Sequence, residues 1–101
     1  QVNGVLQPPK LSVFTPVDGS ISNKPVTLVQ GETEKEVRLT VNGKEAMANN
    51  QGRFEVPIDL SNGLNTITIS AIKKHGKTTT VTRHIIVKSP ALTIKNAESN
   101  F

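Results

Sequence analysis

The chain has no cysteine, tryptophan or tyrosine, and its only aromatic residues are three phenylalanines. Lack of cysteine excludes disulfides, zinc–thiolate centres and thiol nucleophiles together. Lack of tryptophan and tyrosine removes the flat platforms on which a sugar ring or a nucleobase is usually stacked. No apolar run reaches the roughly 20 residues that cross a bilayer, and no charged-then-apolar signal segment heads the chain. Nor does any stretch of about ten residues repeat its apolar positions every 3.6 residues, so no amphipathic helix is predicted.

What remains is a chain of 101 residues, enough for one domain that buries roughly two-thirds of its unfolded surface. Threonine and β-branched aliphatic residues are plentiful. The net charge of +4 is modest. It favours nucleic acid, anionic lipid or an acidic wall polymer as partners only weakly, and a soluble surface with a slight lysine excess accounts for it.

Turn signals divide the sequence into short strands. Asn42-Gly43 lies after Val37, Leu39 and Val41, which alternate with polar residues. Asparagine and glycine are the residues that best tolerate the two positive φ angles of a type I′ turn, so a two-residue hairpin is predicted there. Lys44–Ala48 follows, then a polar turn at Asn49–Gly52, then Phe54, Val56 and Ile58 in alternation. Upstream, Leu11–Phe14 reads as a first strand closed by the Thr15–Ser20 turn, and Val26–Gln30 as a second, with Gly31–Lys35 as a polar loop. Downstream, the break at Asp59–Gly63 precedes Leu64–Ile72, where Ile67, Ile69 and Ala71 share one face. Lys73–Lys77 then turns the chain into Thr78–Val87. In this last strand Arg83 shares the parity of Val81, Ile85 and Val87, which requires either an edge position or a bulge. About seven antiparallel strands at eight-to-twelve-residue spacing predict an all-β, immunoglobulin-like β-sandwich. Its domain spans 10–88, between an N-terminal linker (1–9) and a C-terminal linker or tail (89–101). Phe14 and Phe54 are expected in the core and Phe101 in the tail.

In order along the chain, Pro16–Gly19, Val26–Thr33, Val41–Gly43, Gly52–Phe54 and Leu60–Ala71 resemble bacterial Ig-like modules of the glucodextranase B-domain type. The resemblance covers roughly 10–88. It implies a spacer, adhesion or assembly unit, or an accessory domain beside a secreted carbohydrate-active enzyme, on the extracytoplasmic side of a bacterial envelope. Its partners would be neighbouring domains of the same chain or another envelope protein. Ala71–Gly76 also resembles the extracytoplasmic domain of some membrane-anchored rod-shape-determining proteins. Many relatives carry an acidic residue where Lys73 stands, and the cationic hairpin here argues against calcium at that loop.

No constellation for catalysis emerges. The two histidines are His75, at a hairpin tip, and His84, on the last strand, and neither is flanked by a nucleophile elbow. Both are expected on the exposed surface. Glu32, Glu34, Glu36, Glu45, Glu55 and Asp59 supply carboxylates for a hydrolytic pair, but no aromatic residue is left to hold the sugar. Glu32, Glu34 and Glu36 could offer oxygens to a cation, yet Lys35 sits among them and calcium loops favour Asp, Asn and Gly. Neither cofactor nor metal is expected. The candidate binding feature is the cationic hairpin, with Lys73, Lys74, His75 and Lys77 as polyanion contacts, most simply to an acidic wall polymer; nucleic acid is not expected. Asn42, Gly43, Gly63 and Asn65 are expected to be structural. Asn65 in particular should be substantially buried and satisfy main-chain groups of the Asp59–Gly63 loop.

Overall fold

Alternation of apolar and polar side chains, interrupted by glycine and asparagine, produces strands that each hide one face. The computed structural model describes residues 7–88 and contains, among them, eight strands and no helix. They are β1 (Leu11–Thr15), β2 (Ser20–Ser22), β3 (Val26–Thr33), β4 (Arg38–Val41), β5 (Lys44–Ala46), β6 (Arg53–Asp59), β7 (Gly63–Ile72) and β8 (Thr78–Val87). A three-stranded sheet, β1-β3-β6, packs on a five-stranded sheet, β2-β8-β7-β4-β5. All pairings are antiparallel except that of β2 with β8. The result is an immunoglobulin-like sandwich.

Its core joins both sheets: Val29 and Phe54 from one, Leu39, Val41, Ile67, Ile69, Ala71, Ile85 and Val87 from the other, with Leu60 from the crossing loop. Every buried member of β7 has the parity read from the sequence. Gly31 lies opposite Phe54 in the β3–β6 ladder. A Cβ at Gly31 would collide with the Ser12 carbonyl and the Phe54 ring, so the aromatic occupies the space that a glycine leaves. Only glycine permits both strands to approach so closely there.

Four expectations change. Gly31–Lys35 is not one polar loop, because β3 continues to Thr33 through pairs with both β1 and β6. Phe14 is not core: it is 51% exposed. Leu11 and Val13 turn toward the core, so alternation puts Phe14 on the outer face with Ser12, just where the β1–β3 register shifts between Val13 and Thr15. Part of the predicted Thr15–Ser20 turn leads into a strand, β2, too short to show alternation. Finally, the linker assigned to 1–9 reaches the domain at its last residues. Pro9 is buried and its carbonyl accepts from the Thr79 hydroxyl. The remaining tail, 89–101, and Phe101 with it, lies outside the described residues.

Arg83 resolves as an edge residue. The β7–β8 ladder is unbroken, and β2 pairs with β8 only at Ile85–Val87. Beside Arg83 that side of β8 has no β2 partner, and the guanidinium spans the gap between sheets to donate to the Val13 carbonyl (Nη2···O 3.2 Å). The other edges are protected too. Lys44 and Glu45 charge the short β5, and Pro57 removes a donor from β6.

Candidate functional site

The cationic hairpin closes with the Lys73 N–H donating to the Lys77 carbonyl (2.7 Å) and the Gly76 N–H to the Lys73 carbonyl (2.8 Å). Lys74, His75 and Lys77 are exposed at its tip, but Lys73 is not free. Its ammonium, with a side chain only 26% exposed, pairs with Glu34 (3.5 Å) and donates to the Gln7 carbonyl (3.2 Å). The structure therefore gathers three of the four candidate contacts and uses the fourth to fasten the N-terminal segment.

That segment is held at four points. Besides Lys73–Gln7 and Thr79–Pro9, the Lys10 N–H donates to Glu34 Oε2 (2.7 Å), and the Thr33 hydroxyl donates to the Lys10 carbonyl (2.7 Å). Glu34 thus receives both the Lys10 amide and the Lys73 ammonium.

The carboxylates weighed for catalysis or cation binding are dispersed. Glu32 stands in β3 opposite Arg53. Glu36 occupies a left-handed turn position (φ 61°) and is exposed. Glu45 pairs with Arg38 (2.6 Å), Glu55 accepts from the Gln30 amide (2.7 Å), and Asp59 ends β6 opposite Val26. Among the described residues no three His, Asp or Glu side chains gather as a metal-binding set.

His84 is not simply surface. Asp18 Oδ1 accepts from the His84 main-chain N–H (2.7 Å) and lies 3.0 Å from the ring Nδ1, while the Gly19 N–H donates to the His84 carbonyl (2.7 Å). The amide bond from His84, and then its ring, hold the Asp18 carboxyl below its ordinary value. Residues 66 positions apart are joined this way, and nothing in the linear pattern links them. The one legible signal was the aspartate of the Pro-Val-Asp-Gly turn, a type that habitually accepts main-chain N–H bonds.

The structural residues lie as follows. Asn42 (φ 51°) and Gly43 (φ 83°) form the β4–β5 turn, with Val41 opposite Lys44. Asn42 also continues the sheet past that turn. Its N–H donates to the Thr68 carbonyl (2.8 Å), and its Oδ1 accepts from the Thr68 N–H (2.9 Å). Gly63 (φ 95°) starts β7. Asn65 is half-buried; its Oδ1 accepts from the Ser61 N–H (2.9 Å), and its amide donates to the carbonyls of Ser61 (2.8 Å), Gly63 (3.1 Å) and Ile85 (3.4 Å). One side chain therefore fastens the loop that crosses between sheets to β8.

A pinned N-terminal segment, a two-sheet apolar core and turns that carry the polar residues define an Ig-like β-sandwich module. The family described as Glucodextranase, domain B matches residues 9–89, and the chain belongs to it. No curated protein matches the chain by sequence. Among solved structures, the fibronectin(III)-like modules of Clostridium thermocellum CbhA are similar, at 15% identity and a TM-score of 0.55. The match covers 79% of this chain and 98% of that one, and it supports the fold.

Proposed function

We propose that the chain is a non-catalytic Ig-like spacer and interaction module, accessory to the working domains of a secreted or surface carbohydrate-active protein. The observation that carries this reading is the path of the chain. Residues 7–10 are fastened at the end of the sandwich that holds the Lys73–Lys77 hairpin, and Lys88 is fastened beside Ser22 at the other end of β8. A domain threaded in this way holds its neighbours apart, about 30 Å from Thr79 to Lys88 at the rise of a strand. The family name, a domain of a glucodextranase, and the modular structural relative agree with an accessory role. Capture of Lys73 by Glu34 and Gln7 weakens the rival reading, a polyanion binder centred on the hairpin.

The test is retention. The chain is passed over insoluble glucan and over immobilised heparin, a stand-in polyanion, at about 0.15 M salt, where exposed charges more than about 8 Å apart are screened. The spacer reading expects elution with the unretained volume from both. Retention on glucan would overturn it in favour of a carbohydrate binder. Salt-sensitive retention on heparin that is lost in Lys74→Ala/Lys77→Ala would restore the hairpin as a polyanion site.

A further inference from the structure

A domain that separates its neighbours also transmits tension between them, and the direction of that tension relative to the strands decides how it is resisted. The N-terminal side of the chain leads through β1 and the Pro16–Gly19 turn to Ser20, the upper end of β2. The C-terminal side leaves from Lys88, at the lower end of β8. These two strands are adjacent and parallel, with Ser20, Ile21 and Ser22 in register with Ile85, Ile86 and Val87. Opposed pulls on the two chain ends therefore draw β2 and β8 lengthwise past each other. The bonds between them share the load, whereas a pull across the ladder would break them in turn.

The contact is extended at both ends beyond its short ladder. Below it, the Lys88 N–H donates to the Ser22 carbonyl (2.8 Å). Above it, the Gly19 N–H donates to the His84 carbonyl (2.7 Å), and Asp18 Oδ1 grips the His84 amide and ring (2.7 and 3.0 Å). Three registered pairs are thus locked by a carboxylate that sits directly on the line of pull. The pull first meets the four fastenings of residues 7–10, the Arg83–Val13 bond and the β1–β3 ladder, whose register breaks between Val13 and Thr15. Once β1 slips, the load falls on β2 and β8.

We propose that this domain is a tension-bearing unit in which the parallel β2–β8 contact, locked by Asp18 on His84, is the clamp. The purpose of the clamp rests on the spacer reading, while its strength is a property of this fold alone. Because the chain has no cysteine, pulling points can be placed at will. The full chain, flanked by reference domains, is unfolded in a single-molecule force measurement by its two ends. It is unfolded again through linkages at Asn23→Cys and Lys88→Cys, which lie at the same end of the ladder and so peel it.

The end-to-end direction is expected to require at least about twofold more force, since forced unfolding reports the barrier along the path pulled. Asp18→Ala is expected to lower the end-to-end force and leave the peeling force unchanged. Equal or smaller force end to end would overturn the clamp, and an equal loss in both directions for Asp18→Ala would overturn the part assigned to Asp18. Retention on glucan with the force difference intact would overturn the spacer reading and leave the clamp standing.

Discussion

Asn65 and Phe54 show two ways in which one side chain holds a sandwich together. The Asn65 amide satisfies main-chain groups that the crossing loop leaves without ladder partners, on Ser61 and Gly63, and reaches β8 at Ile85. Asn65→Ala is expected to cost about 1–3 kcal/mol, nearer the lower figure because water reaches much of the loop. Denaturant unfolding measures it, and a loss under about 0.5 kcal/mol would mean that solvent replaces the amide completely. Phe54 acts through volume. It is 4% exposed, and its ring fills the place of the absent Gly31 side chain. Phe54→Ala should cost about 3–5 kcal/mol by opening a cavity. Gly31→Ala should cost about 1–3 kcal/mol by forcing ring and strand apart. If Gly31→Ala is neutral in the same unfolding experiment, β1 yields to the methyl and the close approach is not required.

At the scale of elements, the N-terminal segment and the β2–β8 contact are fastened by side chains rather than by long ladders, so each has a specific weakness. A chain beginning at Gln7 keeps all four fastenings and is the reference. A chain beginning at Leu11 loses the Pro9 and Lys10 carbonyls, and the Thr33 hydroxyl, on a residue only 6% exposed, is left without its acceptor. A loss of about 1–3 kcal/mol is expected for the second truncation alone. The Asp18 fastening depends on pH instead. Its folded carboxyl titrates below the ordinary 3.8, chiefly because the His84 amide and then the His84 ring favour the ionised form, with Arg83 adding to them. A depressed folded value means that the contribution is fully present above about 3.8 and is lost as pH falls through the folded value. Between about pH 5 and about pH 3 the parent should therefore lose more thermal stability than Asp18→Asn, which keeps an acceptor but no titration. Equal losses would show that the pair does not couple to folding. These two elements were also the least legible in the sequence. β4 and β7 announced themselves by alternation, and the Asn42-Gly43 turn by its φ requirement, because period and turn chemistry are local properties. β2 has three residues and no period to show, and the fastenings join residues from opposite ends of the chain, whereas the outer face of Phe14 follows from its alternation with Leu11 and Val13.

For the whole molecule, the question is whether its carboxylates leave anything for a cation to bind. Acidic side chains outside a metal site gain little from a divalent ion when each already has a partner, since the ion must displace a bond or gather ligands that stand apart. Glu34 holds Lys73 and the Lys10 amide, Glu45 holds Arg38, Glu55 holds Gln30, and Asp18 holds His84. Glu32 and Glu36 are separated by the end of β3 and a left-handed turn. Calcium needs six to eight oxygens at about 2.3–2.6 Å, and no group of these residues presents them together. A ligand raises the midpoint of unfolding only if it binds the folded state in preference to the unfolded one. Thermal unfolding in millimolar calcium and in excess chelator should therefore coincide, and so should unfolding of Glu32→Gln/Glu36→Gln in both. A calcium-dependent rise of several degrees that disappears in the double variant would place an ion at the end of β3. It would also make the Glu34–Lys73 contact the pair that calcium must break, so that the N-terminal segment would loosen as the ion bound.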